Sequence, residues 1–156
     1  MNILVSACLL GTNCKYSGGN NLTSKVLELM NEHTLIPVCP EQLGGLTTPR
    51  KPCEIESGDG SVVLAGHARV MNNIGEDLTE QFVKGAQETL NIAKLYGCTS
   101  AILKANSPSC GCRIIYDGSF SGKHKAGSGV TAQLLLDNGI EVVTDLDFEE
   151  KMGGLK

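Results

Sequence analysis

The chain of 156 residues has no tryptophan, and aromatics make up only 4% of it. A core must therefore rest on Leu, Val, Ile and Ala and not on stacked rings. No apolar run approaches the ~20 residues that a membrane-spanning helix needs. There is no stripe of Lys and Arg, and the formal charge is −4 with a pI near 5.3. This speaks against a general phosphate-binding surface, so no nucleic-acid partner and no membrane partner is expected. The opening MNILVSACLLG has neither a basic segment nor a small-residue cleavage pattern and reads as a first strand, which makes a cytoplasmic location the expectation.

What the chain does have is nineteen glycines and seven cysteines. The cysteine count is odd and falls short of the density of a disulfide scaffold. In a reducing compartment such cysteines serve metal binding or catalysis more often than crosslinking. The length suits one domain, spanning 1–156.

Strand and helix patterns alternate, which predicts an α/β domain with an open, mainly parallel sheet, Rossmann-like and three-layered. Strands are expected at Asn2–Ala7, Leu35–Val38, Ser100–Lys104 and Ile140–Thr144. Helices are expected at Thr23–Glu32, with Val26, Leu29 and Met30 as its apolar face, at Asp77–Tyr96 and at Thr131–Asp137. Asp77 with Glu80 resembles a capping box, and Gly97 suits a helix stop. Ser61–Val70 reads as extended, in a hairpin with the residues before the SGDG turn. The tail FEEKMGGLK reads as a short frayed helix.

Three cysteines stand at or just past predicted strands: Cys8 after ILVSA, Cys39 after LIPV and Cys110 after AILKANSPS. In an open parallel sheet the carboxyl ends of the strands share one edge, where ligand crevices form, so these thiols are expected to converge. Buried cysteines packing as small hydrophobes are the ordinary alternative for each taken singly. Three thiolates are one fewer than a closed four-ligand site takes. Spacing alone leaves a catalytic zinc and an iron–sulfur cluster both open.

The segments SACLLG, CKYSGG, CPEQLGGLTTPRKPCE, LKANSPSCG and GVTAQLLLDNGI together resemble the thiouracil desulfurase family, in the same order and over nearly the whole chain. The resemblance implies a [4Fe-4S] cluster held by Cys8, Cys39 and Cys110, with the iron lacking a protein ligand taking the sulfur of a thiolated nucleobase such as 2-thiouracil. It maps the acidic and hydroxyl catalytic roles onto Glu41 and Ser107. Glu41 would serve as acid or base if burial shifted it toward neutrality. Cys112 is a rival for Cys110, and Cys14 lies near the site if its loop folds back. Cys53 and Cys98 read as packing residues. Tyr16, Arg50 and Lys104 are candidate substrate contacts. GKHKAGSGVTA offers a glycine-rich approach to a helix N-terminus, a natural anion site or the root of a lid. Two other classes stay open at this level. One is a non-catalytic metal- or cluster-binding redox sensor or structural module; the other is a thiol redox protein using Cys110 and Cys112.

Overall fold

The computed structural model describes residues 1–152. In chain order its elements are β1 (Asn2–Ser6), α1 (Ser24–Leu27), β2 (Thr34–Val38), α2 (Pro40–Leu43), β3 (Cys53–Glu56), α3 (Gly60–Leu64) and β4 (Arg69–Asn72). They continue with α4 (Thr79–Leu95), β5 (Ser100–Leu103), β6 (Ile114–Tyr116), β7 (His124–Ala126), α5 (Val130–Asp137), β8 (Glu141–Thr144) and α6 (Phe148–Lys151). The central sheet has the order β2-β1-β5-β8 and every pairing in it is parallel.

Alternation along the strands builds two cores. Ile3, Val5, Leu35, Ile102 and Val143 face one way and pack with Val26, Phe148 and Met152. Leu4, Ala101, Leu103 and Val142 face the other way, against Ala93 of α4 and Leu135 of α5. Helices therefore cover both faces, as a parallel sheet requires, and β1 is fully buried at Ile3, Leu4 and Val5. From β1 the chain steps to β2 on one side, then returns to place β5 on the other. This reversal leaves a crevice at the carboxyl ends of β1 and β5.

Several local expectations are corrected. The helix expected at Thr23–Glu32 is one α turn, α1, continued by a 3-10 turn over Glu28–Asn31, and Met30 is exposed. The first half of Ser61–Val70 is helical because Asp59 caps it, accepting hydrogen bonds from the N–H groups of Ser61 (3.0 Å) and Val62 (3.2 Å). The hairpin itself is present as β3 and β4, paired antiparallel. Asp77 bonds Thr79, through its N–H at 2.9 Å and its hydroxyl at 2.6 Å, in a turn that precedes α4. The tail forms α6, and its last residues, 153–156, lie outside the described residues. Among the described residues no helix is long and apolar enough to cross a membrane.

One contact positions the element that carries Glu41. Helices α2 and α4 cross with Gly44 and Gly85 at the contact: a Cβ on Gly85 would overlap the carbonyl oxygen of Pro40, and one on Gly44 the carbonyl oxygen of Gln81. The obstacle is backbone, which cannot rotate away. Gly85→Ala is therefore expected to destabilise the fold by about 1–3 kcal/mol or more, despite alanine's better helix propensity, read as a lowered midpoint in denaturant unfolding.

Candidate cofactor and active site

At the end of β1 the chain enters a 3-10 turn, Ala7–Leu10, which carries Cys8 and closes at Gly11 with φ +97°. Cys39 follows β2 directly in extended backbone and precedes α2, whose first residue is Pro40, so Glu41 falls in the first turn of a short helix. Cys110 lies further out, in a turn beyond β5. Its N–H donates to Ser107 Oγ at 2.7 Å, and the N–H of Gly111 donates to the Ser107 carbonyl at 2.9 Å.

This turn is seated on the start of α5. The N–H of Val130 reaches the carbonyl of Pro108 (2.8 Å), and those of Thr131 and Ala132 reach the carbonyl of Ser109 (2.9 and 3.0 Å). Those are the donors that a helix start leaves without intrahelical partners. The expectation of an anion site there is corrected, because the SPS turn takes these donors. Gly129 makes the seating feasible, since a Cβ there would stand 2.6 Å from the Ser109 carbonyl oxygen. Within the same glycine-rich segment His124–Ala126 form β7, paired antiparallel with β6, and Tyr116 of β6, in contact with the His124 ring, lines the cavity.

These turns enclose a cavity of about 320 Å³ whose wall includes Cys8, Cys39, Cys110, Glu41 and Ser107. All five residues singled out from sequence thus face one space. Cys14 faces it too, while Cys112 does not. The Cys112 thiol points to the carbonyl of Val142 at 3.6 Å, in the core between sheet and helices. That direction leaves no Cys110–Cys112 pair for redox chemistry. Cys53 and Cys98 are packed in the core, as expected.

The thiols differ electrostatically. A hydrogen bond from Cys14 lowers Cys39 to about 6, against burial and helped by the Gln42 N–H and the Arg50 charge. The same donor lowers Cys8 to about 7, aided by Asn21 and Lys104. Cys14, hydrogen-bonded to both, is pushed far up. Burial pushes Cys110 up to about 12 although two hydroxyls, of Ser6 and Ser109, stand 3.5 Å from its sulfur. Cys8 and Cys39 are therefore the sulfurs whose surroundings most favour the thiolate, the form that ligates metal.

Glu41 is largely buried, and it sits in an ion pair. Arg50 Nε donates to Glu41 Oε1 at 3.1 Å, and the side chains are only 7% and 17% exposed. Ser109 Oγ donates to Glu41 Oε2 at 3.2 Å and stands 3.4 Å from Ser107 Oγ. Both carboxylate oxygens are thus held. Arg50, expected as a substrate contact, spends its donors on Glu41 and on the carbonyls of Thr47 (3.2 Å) and Cys14 (2.9 Å). Tyr16 and Lys104 line the cavity; Lys104 Nζ is 3.5 Å from Asp145 Oδ2. Ser6 was not anticipated, although it ends β1 at the edge that singled out the cysteines; it accepts from the Lys104 N–H at 2.9 Å and donates to Cys110.

Soft sulfur donors on the wall of one half-open cavity, with hydroxyls directed at one of them, suit a thiolate-bound cluster. Among the described residues no three His, Cys, Asp or Glu side chains converge as the ligands of a single metal ion would.

Comparison with known proteins matches residues 3–147 to the family model described as 2-thiouracil desulfurase. The uncharacterized protein YbbK of Bacillus subtilis (strain 168) is 46% identical over 148 residues, which covers 95% of this chain and 98% of that protein. A solved structure of the [4Fe-4S]-dependent thiouracil desulfidase TudS superposes with a TM-score of 0.83 at 35% identity, covering 99% of this chain and 97% of that one.

Proposed function

Because the chain belongs to the 2-thiouracil desulfurase family, we propose that it is a [4Fe-4S]-dependent desulfidase acting on a thiolated pyrimidine base such as 2-thiouracil, with Cys8, Cys39 and Cys110 as the cluster ligands. The observation that carries this reading is the meeting of those three thiols with Glu41 and Ser107 on one cavity at the sheet's carboxyl edge. The donor set fits the group, and the cluster, once bound, supplies a Lewis-acidic iron for the substrate's sulfur.

The protein's own residues then have distinct tasks. Glu41 takes a proton from the attacking water, and its two oxygens are held in direction by Arg50 and Ser109. Ser107 accepts the Cys110 N–H. Because Ser109 donates to Glu41, the Ser107 hydroxyl proton is directed at Ser109 Oγ, 3.4 Å away, from which it turns to orient the water or to donate to the substrate. Tyr116 and Tyr16 give the wall two rings against which a planar base can lie. The net change replaces C=S by C=O with water as the oxygen source and hydrogen sulfide as the product, and no electrons are exchanged.

The test is anaerobic reconstitution with iron and sulfide, followed by incubation with 2-thiouracil. Uracil and sulfide are expected in equal amounts, and only from cluster-loaded protein. A fully loaded protein that releases no sulfide from any thiopyrimidine would overturn the proposal.

A further inference from the structure

One buried hydroxyl on the cavity wall has no task in the reaction. Ser6 ends β1, is 3% exposed and lines the cavity beside the three thiols. The sheet itself places it there. The ladder between β1 and β5 pairs Val5 with Ile102 and, two residues on, ends on the Ser6 side chain: Oγ accepts the Lys104 N–H at 2.9 Å. A backbone N–H can only donate, so this contact leaves the Ser6 proton for another acceptor. That acceptor is Cys110 Sγ, 3.5 Å away. Ser109 Oγ stands at the same distance from the sulfur, but its one proton has a stronger acceptor in the Glu41 carboxylate, at 3.2 Å. Cys110 is only 5% exposed, and Ser6 is the hydroxyl left to serve it.

On the reading that Cys110 is a cluster ligand, we propose that Ser6 is a positioning residue for that ligand, whose O–H···S hydrogen bond draws electron density from the Cys110 sulfur and raises the reduction potential of the bound cluster. Hydrogen bonds to ligating sulfurs are among the levers by which a protein sets such potentials. A sulfur that shares its charge with a proton is also a weaker donor, which suits a site that must accept the sulfur of a thiocarbonyl. Ser6 itself neither gains nor loses a proton.

The experiment compares anaerobically reconstituted full-length protein with Ser6→Ala, following reduction of the cluster by potentiometric titration with electron paramagnetic resonance. The variant is expected to be harder to reduce by about tenfold in the equilibrium, a potential lower by about 59 mV for one electron. Ser6→Thr, which keeps a hydroxyl, should titrate with the parent, and Ser6→Val, which puts a methyl in its place, with Ser6→Ala. A merely structural Ser6, needed only to hold the end of β5, would lower the denaturant midpoint when removed and leave the potential where it was. Equal potentials with and without the hydroxyl would overturn the proposal. So would failure of both Ser6→Ala and Ser6→Val to load any cluster, since the hydroxyl would then be a requirement of assembly. Loading of Cys110→Ala decides the underlying assignment separately. If that variant takes up a full cluster, the ligand reading falls; if it fails to load and Ser6→Ala keeps the parental potential, this inference alone falls.

Discussion

Cys39→Ala is expected to abolish cluster loading, with iron per chain dropping at least tenfold from the roughly four atoms of a full cubane. Cys8→Ala and Cys110→Ala should do the same. The three thiols sit on the separate segments that follow β1, β2 and β5, so removing one opens a whole side of the site. Cys39 makes the sharpest test because its surroundings favour the thiolate most, through the Cys14 hydrogen bond, the Gln42 N–H and Arg50. Cys112→Ala and Cys98→Ala, which alter core sulfurs away from the cavity, should load as the parent does. Iron and sulfide analysis after anaerobic reconstitution reads all five. Full loading of Cys39→Ala, or loss confined to Cys112→Ala, would remove the ligand assignment.

The second large effect is on turnover. Glu41→Gln keeps the shape of the side chain but removes its capacity to take a proton, and the rate of sulfide release should fall by roughly 10²–10⁴-fold with the cluster retained. The structure explains why the loss should appear in kcat and not in KM. Glu41 is held on both oxygens, by Arg50 and Ser109, and is fixed in place before any substrate arrives. Glutamine can still accept from Arg50, so the loop carrying Cys14 should stay anchored and the absorption of the cluster should be unchanged. Turnover surviving Glu41→Gln at the parental rate would take that residue out of the chemistry and leave Ser107 as the remaining candidate.

Much of this was legible in the chain. The α4 pattern of Leu78, Phe82, Ala86, Leu90 and Ala93 gave a helix within two residues of its observed ends, because one apolar face at helical spacing has one way to be buried. The strands were equally clear, since β1, β2, β5 and β8 are short apolar runs bounded by turns. Harder were the segments where a single side chain overrides the pattern. Val62, Val63 and Leu64 have strand-like character, yet the Asp59 cap turns them into α3. Thr23–Glu32 has helical spacing, but only Val26 is fully buried there, too little packing to hold a long α-helix, and it tightens into a 3-10 turn.

The sequence by itself determined the class of fold, the edge of the sheet where chemistry gathers and three cysteines expected there, while Glu41 and Ser107 came from the resemblance to a known family. The fold class, the edge and the cysteines follow from local rules: strand alternation, the direction of a parallel strand, and the residue that comes next. Only the tertiary structure decided which of the remaining thiols belongs at that edge. Cys112 is two residues from Cys110 and points into the core toward Val142, while Cys14, far from Cys110 in sequence, shares its cavity. The physical reason is that a side chain's direction past a loop is set by contacts made elsewhere in the chain. Here those contacts are the Arg50 hydrogen bonds that draw the Cys14 loop over the site and the α5 N–H groups that seat the SPS turn.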